Sequence, residues 1–200
     1  RTLAVTGNER LVFGEDRIVE NLLGLNFEIS MKSFFQTNPK SAEKLYSKVI
    51  DYALEKAETV NGKIVMDLFC GTGTIGQILA SKTTGTQIIG VDIVADAIKD
   101  AKKNAERNGI KGVDFYAADV GKFLVEYPQY KGKIETIVLD PPRAGIAPKT
   151  LEKVIKIGAS RMVYVSCNPA TQARDTEILR QAGYKISKMS LVDQFPHTAH

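Results

Sequence analysis

The sequence predicts a doubly wound α/β fold, a mostly parallel sheet covered by helices and preceded by a β-hairpin extension. Three observations carry that prediction. Apolar, strand-like runs recur at Ile64 to Phe69, Ile88 to Ile93, Val113 to Tyr116, Ile134 to Leu139 and Met162 to Ser166, each followed by a segment with helical spacing. The first run leads into a glycine-rich turn, Gly71-Thr72-Gly73-Thr74-Ile75-Gly76. The last two lead into proline-stiffened segments, Asp140-Pro141-Pro142 and Asn168-Pro169. Strands that alternate with helices bury both faces of a sheet most simply when the strands run parallel.

Taken in order, residues 1–37 read as a hairpin extension and residues 38–200 as the main domain. Turn signals at Thr6-Gly7-Asn8, Gly14-Glu15-Asp16 and Gly24-Leu25-Asn26 separate short strand-like pieces such as Leu11-Val12-Phe13 and Ile18-Val19-Glu20. Arg1-Thr2-Leu3 looks like the middle of a strand and no initiator Met is present, so an excised piece of a longer protein is expected. Asn38-Pro39 supplies an N-cap with Pro at the first helical position, and Leu45, Tyr46, Val49, Ile50, Ala53 and Leu54 then share one face of a helix running to about Ala57. A sixth strand is expected within Tyr184 to Val192, and the last strand of a complete sheet is expected to be missing.

A chain of 200 residues with 44% hydrophobic and 25% charged residues can close a sizeable core, which excludes disordered and collagen-like classes. No apolar run approaches the ~18 residues of a membrane span and no signal-like start is present, so the chain reads as soluble and cytoplasmic. Cys70 and Cys167 are the only cysteines, without the spacing of a disulfide framework or a metal site. The net charge of +4 is compatible with a polyanionic partner and equally with many enzymes that have none.

The glycines at 71, 73 and 76 match the spacing of a dinucleotide fingerprint, and Asp92 closes the next strand about 20 residues on, where a carboxylate can accept from both ribose hydroxyls. NAD and S-adenosylmethionine would both use that arrangement. Asp67, inside the strand four residues before Gly71, favours S-adenosylmethionine, because a carboxylate can answer the amino-acid moiety and would repel a pyrophosphate. Asp119 follows the next strand and reads either as a contact to the adenine edge or as a plain N-cap. Downstream, Asn168-Pro169 repeats the cap-plus-Pro start, which puts Cys167 at the head of a helix where the dipole and free N–H groups favour a thiolate. Cys167 is therefore the candidate nucleophile, while Cys70 suits a small buried thiol.

Five segments in order, Phe34-Phe35-Gln36-Thr37-Asn38, Asp67-Leu68-Phe69-Cys70-Gly71-Thr72-Gly73, Asp140-Pro141-Pro142-Arg143, Ser166-Cys167-Asn168-Pro169 and Phe195-Pro196-His197-Thr198, resemble the motifs of the RNA (uracil-5-)-methyltransferases. Within that family the chain most resembles the bacterial 23S ribosomal RNA enzymes. The resemblance implies a Rossmann-like class I S-adenosyl-L-methionine-dependent methyltransferase fold and S-adenosyl-L-homocysteine as product. It implies cofactor contacts from Gln36, Phe69, Gly71, Asp92, Asp140 and, more weakly, Asp119, and a nucleophile at Cys167. Some members carry Asn where Thr74 stands here, which leaves that contact open.

The chemistry needs such a thiol. C5 of uracil is a poor nucleophile until a thiolate adds at C6, and the C5 proton must later pass to a base. In the family that base is a Glu two residues beyond the His-Thr-x-His segment, and His197-Thr198-Ala199-His200 ends this chain, so poor turnover is expected. His197 and His200 are the nearest substitutes, with a turn role more natural for His197. The target uridine is expected to be flipped out or in a loop, with RNA the partner, 23S rRNA the first candidate, and no metal, membrane or second subunit required. Phe34 or Phe35 could stack on the base or pack in the core, and Lys32, Lys40, Lys44 and Arg143 could touch phosphates or simply face solvent. Three other readings compete. An RNA cytosine-C5 methyltransferase would carry Cys after a Pro where Pro142 and Arg143 stand, an NAD oxidoreductase would leave Asp67 and Cys167 without tasks, and the third is a non-catalytic RNA-binding module.

Overall fold

A computed structural model describes residues 13–30, 35–55, 62–196 and 198. The turn at Thr6-Gly7-Asn8, Leu11, Val12, Lys32, Phe34, Ala57, His197 and His200 lie outside the described residues.

All five apolar runs form strands: β3 (Ile64–Leu68), β4 (Gln87–Asp92), β5 (Val113–Ala117), β6 (Ile134–Leu139) and β7 (Arg161–Tyr164), following the hairpin strands β1 (Arg17–Leu22) and β2 (Leu25–Ser30). They build one sheet in the order β5-β4-β3-β6-β7, with every pairing parallel. From β3 the chain winds outward to β4 and β5, then returns across β3 to β6 and β7. Strand order therefore reverses between β3 and β6, and in an open α/β sheet the crevice beyond the carboxyl ends at such a point receives ligands.

The two-residue period of each strand divides its side chains between two cores. Val65, Ile88, Val138 and Val163 face α1 (Pro39–Ala53) and α2 (Thr74–Ser81), and Phe115 faces α3 (Ala95–Arg107). Met66, Leu68, Ile89, Val91, Ile137 and Leu139 face the opposite layer, which draws Phe123, Val154 and Leu179 from α4 (Val120–Glu126), α5 (Pro148–Ile157) and α6 (Pro169–Gln181). Both cap-plus-Pro starts are present. Asn38 accepts from the Ser41 N–H at 3.2 Å and Asn168 from the Ala170 N–H at 3.1 Å. The first helix ends at Ala53, earlier than the periodicity suggests.

The hairpin turns at Leu23-Gly24, both with positive φ, one residue before the turn read from the sequence. Two left-handed residues make the tight turn whose twist suits paired strands, and the Leu23 N–H is anchored by Glu43 at 3.0 Å. Leu22 and Phe27 are fully buried in the core beneath α1. On the far edge of β2, Asn104 and Asn108, one turn apart on α3, each accept from a backbone N–H and donate to a backbone C=O, at Glu28 and Asn26 respectively. Two side-chain amides thus continue the ladder and close an edge that would otherwise be open for pairing.

The sixth strand expected within Tyr184 to Val192 does not form. That segment carries no regular secondary structure, and Ile186, Met189 and Leu191 are largely exposed. It lies instead against α1, tied by Lys188 to Glu55, by Ser190 to Tyr52 and by Gln194 to Asn38 and Ser41. A strand needs a neighbour's backbone to satisfy its own, and these side-chain ties to a helix replace that ladder. Among the described residues no helix is long and apolar enough to cross a membrane, and no group of three or more His, Cys, Asp or Glu could hold a metal ion.

Candidate active site

The chain leaves β3 through a strained turn. Phe69 adopts φ 64°, a left-handed conformation that costs a non-glycine residue about 1–2 kcal/mol. The Phe69 and Cys70 N–H groups both donate to the Val91 carbonyl, at 2.8 and 3.1 Å, which pins the turn to β4. Gly71 and Gly73 are also left-handed, but their surroundings differ. A Cβ on Gly73 would lie 2.5 Å from the Phe115 ring, whereas one on Gly71 would meet nothing within 4 Å. Gly73 serves packing, and Gly71 leaves the backbone bare toward open space.

Because the N-cap of α2 is Gly73, no side chain at that position can cap the helix. Asp67 does so from inside β3, its Oδ2 accepting from the Gly76 N–H at 2.8 Å, while its buried Oδ1 has no hydrogen-bond partner. Burial raises its pKa to about 7, against the lowering effect of the Gly76 bond, with Asp140 and Asp92 adding to the rise. Asp92 binds the loop through both oxygens, accepting from Gly71 N–H at 2.9 Å and Val94 N–H at 2.8 Å, and each oxygen keeps a further lone pair. Asp140 follows β6 beside Leu68, its carboxylate accepts no hydrogen bond among the described residues, and burial pushes it up to about 6. Burial and the nearness of Asp140 and Asp67 also raise the pKa of the Tyr46 phenol on α1.

These acids are a test of fit for a cofactor. Asp67, whose ionisation Asp140 and Asp92 oppose, together with those two carboxylates suits a ligand bearing positive charge and opposes a pyrophosphate. S-adenosylmethionine, with its ammonium and sulfonium, fits that donor set, and the open face of Gly71 marks where it could approach, with the buried Asp67 acting on its charge from beneath. Asp119 caps α4, accepting from Lys122 N–H at 2.9 Å, so the capping alternative holds for it, and its exposed position at the end of β5 leaves room for a second task.

Cys167 is exposed, one residue before the N-cap of α6, and Cys70 is half-buried with its sulfur against Gly90 and its pKa well raised, first by burial. Of the two, Cys167 is the more exposed. Neighbouring strands lie ~4.8 Å apart, so the end of β7 sits one strand from Asp140 and roughly 10 Å from the glycine turn.

A network unread in the sequence fixes the Asp140 loop to the head of α6. The Arg143 carbonyl accepts from Asn168 Nδ2 and Thr171 Oγ1, both at 3.1 Å. Three residues on, the Ile146 N–H donates to Asp175 Oδ2 at 2.7 Å, and the same fully buried carboxylate accepts from Tyr164 Oη and from Arg174. Gly145, at φ 74°, passes so close that a Cβ would lie 2.5 Å from Arg174 and 2.6 Å from Asp175. The only sequence signal for Asp175 is an acid one turn before the buried Leu179 on the inward stripe of α6.

Gln36 precedes the head of α1, and that head also lies at the carboxyl edge. Arg161, at the start of β7, donates to the carbonyls of Ala53 and Glu55 at the opposite end of α1, so the helix runs antiparallel to the strands. Asn38 Nδ2 donates to the Gln194 carbonyl at 3.0 Å, bringing Phe195 and Thr198 to the same end. Phe35 packs on the core and meets Phe27 at 6.3 Å between ring centroids. All five sequence motifs therefore have described residues at one edge of the sheet.

Residues 2–200 match the sequence model of the tRNA (Uracil-5-)-methyltransferase family. The chain belongs to that family. A Clostridium acetobutylicum relative described as an uncharacterized RNA methyltransferase is 46% identical over 189 residues, covering 94% of this chain and 40% of the relative. One from Enterococcus faecalis, described in the same words, is 39% identical over 201 residues and 43% of its length. The chain thus spans about 40% of the length of the relatives it matches. Among solved structures, the Pyrococcus abyssi tRNA (uracil-54, C5)-methyltransferase in complex with S-adenosyl-L-homocysteine superposes with a TM-score of 0.77 at 35% identity, over 93% of this chain and 43% of that one. An Agrobacterium tumefaciens SAM-dependent methyltransferase, TM-score 0.67 at 20% identity, shares the fold alone. The fold is the Rossmann-like class I fold of S-adenosylmethionine-dependent methyltransferases.

Proposed function

We propose that this chain is the catalytic portion of an S-adenosylmethionine-dependent RNA methyltransferase that modifies C5 of a uridine through a covalent bond from Cys167 to C6. One observation carries the reading most directly: an exposed thiol stands at the head of α6, one strand from Asp140 and across the switch point from the glycine turn. When bound, S-adenosylmethionine supplies an electrophilic methyl on sulfur, leaving as the neutral thioether S-adenosylhomocysteine.

With lone pairs to spare, Asp92 would accept from the ribose hydroxyls, and Asp119 stands at the strand end that would meet the adenine. Asp67 and Asp140 would answer the cofactor's positive charge, Gly71 and Phe69 would shape the turn against it, and Gln36, before the head of α1, would add a contact from that side. The Cys167 thiolate adds to C6 of the uracil, and the C5–C6 π pair moves to make C5 an enolate carbon that attacks the methyl. After methyl transfer the C5 proton passes to a base, the C5–C6 double bond re-forms, the C6–S bond breaks, and the electron pair returns to Cys167. The Asn168, Thr171 and Asp175 bonds keep the Asp140 loop and the thiol in one geometry, so neither must be searched for when RNA arrives. A pyrimidine attacked on its ring faces has to leave the stack, which favours a loop or flipped-out uridine.

For the substrate, bacterial 23S rRNA is the first RNA to test, on the motif resemblance, and tRNA is the comparison because the P. abyssi relative acts on uracil-54 of tRNA. The experiment is a single-turnover incubation of each RNA with methyl-labelled cofactor, followed by mass spectrometry of the nucleoside digest. Label in 5-methyluridine is the expected result. Label in 5-methylcytidine, or in no nucleoside while cofactor binds, overturns the reading.

A further inference from the structure

Besides the switch-point crevice, the described surface holds an open groove of about 410 Å³ between α1 and the tail that runs along it, lined by Ser41, Lys44 and Lys48 on one wall and by Leu191, Val192, Asp193 and Pro196 on the other. Three features bear on what it receives. The first is charge. Lys40, Lys44 and Lys48 repeat every fourth residue, so they form one exposed row along α1, and among the described residues no ion pair joins any of them to a carboxylate. Asp193, the acid among the described lining residues, accepts from the Phe195 N–H at 3.0 Å and stands on the wall opposite the lysines.

The second is spacing. Four helical residues rise ~6 Å along the axis, close to the separation of neighbouring phosphates in an extended single strand. The third is direction. The row ends at the head of α1, where Asn38 joins Gln194 and where Gln36 leads to the carboxyl edge of the sheet. Apart from Asp193 the opposite wall is apolar, with Leu191 95% exposed, and offers a surface for the flat faces of unstacked bases.

We infer that this groove is the track for single-stranded RNA flanking the target nucleotide, with the Lys40, Lys44 and Lys48 ammonium groups on successive phosphates and Leu191, Val192 and Pro196 against the bases. The inference deepens the RNA methyltransferase reading and rests on it. The occupant is a polyanion because unpaired cations line up on one wall. It is single-stranded because the second wall is apolar and the groove leads toward a site that acts on an unstacked base.

The test is fluorescence anisotropy of a fluorescein-labelled, uridine-containing oligoribonucleotide across a range of salt concentrations. It compares the chain with K40E/K44E/K48E and with K102E/K103E/K111E, which removes equal charge from exposed lysines on α3 and the turn before β5. Three lost phosphate contacts on a single strand lower the slope of log K against log salt by about 2 units. With that slope the K40E/K44E/K48E variant loses at least about tenfold in RNA affinity near 0.1 M salt, while the α3 variant stays within about threefold. Equal weakening in both variants, no weakening in the α1 variant, or no RNA binding by the chain overturns the groove assignment. Calorimetry with S-adenosylhomocysteine and single-turnover methylation by the unaltered chain test the enzyme reading separately, so a failure of the groove is distinguished from a failure of that reading.

Discussion

The two halves of the sheet edge are built in opposite ways. Around β3 and β4 the site is buried and locally stitched. Asp67 reaches nine residues to Gly76, Asp92 reaches 21 residues to Gly71, and Gly73 packs against Phe115 and Gly76 against Ile88. Around β6 and β7 the reactive residue is at the surface, and its surroundings are held by bonds spanning 25 to 29 residues, from Asn168 and Thr171 to Arg143 and from Asp175 to Ile146. A small ligand can be enclosed by a turn that is rigid in advance, whereas a macromolecular substrate must meet its nucleophile in the open. The first half follows from local chemistry, and the second from a clamp that exists only once the fold has closed.

The sharpest way to separate the halves is Cys167→Ala. Methyl transfer is expected to fall by on the order of 10⁴-fold or more, with S-adenosylhomocysteine affinity unchanged by calorimetry. Loss of both together would mean that the halves are not independent.

Next in size is Asp175→Ala, which leaves the Ile146 N–H, the Tyr164 hydroxyl and Arg174 without their buried acceptor. A loss of about 3 kcal/mol is expected, read as a fall of roughly 6–12 °C in thermal unfolding. The cofactor site should retain its affinity below the new transition. Gly145→Ala disturbs the same clamp by forcing a Cβ onto Asp175, and a similar loss is expected.

The acids predict a pH effect of smaller size. Asp140 titrates near 6 in the folded chain against an ordinary value of 3.8, because burial disfavours its charge. Stability from its protonated form is complete below about pH 4, where both states are neutral, and declines as pH rises toward and through 6, because the unfolded chain ionises first. Asp140→Asn removes that decline. Its Tm should exceed that of the unaltered chain by a few degrees at pH 8 and match it at pH 4. A Tm advantage that is equal at both pH values would contradict the assignment. Smallest of all, Gly71→Ala meets open space and costs only its left-handed φ, about 1 kcal/mol, whereas Gly73→Ala must displace Phe115 and should cost more than that in chemical denaturation.

Much of this was legible in the residues. The central strands β3, β4 and β6 announced themselves as apolar runs because a strand buried on both faces has no polar side to alternate with, and the edge strands β5 and β7 kept enough apolar residues to follow the same pattern. Asn38-Pro39 and Asn168-Pro169 located two helix heads, and the second placed Cys167. Other features depended on distant partners. Tyr184 to Val192 has the composition of a strand yet no backbone partner to pair with, so its side chains bind α1. Asp175 looks like any helical acid until Tyr164 and Ile146 arrive beside it. The hairpin turn was read one residue late, at Gly24-Leu25-Asn26, because a leucine rarely takes positive φ, and here Glu43 and the core hold Leu23 there. Asp119 carried two meanings in sequence, and its cap is the one visible in the fold.

The most direct measurement concerns the sulfur itself. RNA bearing 5-fluorouridine, incubated with the chain and S-adenosylmethionine, cannot complete the elimination, because fluorine at C5 does not leave as a proton does. Intact-mass analysis should therefore find a persistent protein–RNA adduct that maps by peptide sequencing to Cys167 and disappears in Cys167→Ala. An adduct on Cys70, or methyl transfer to uridine that persists in Cys167→Ala, would contradict it.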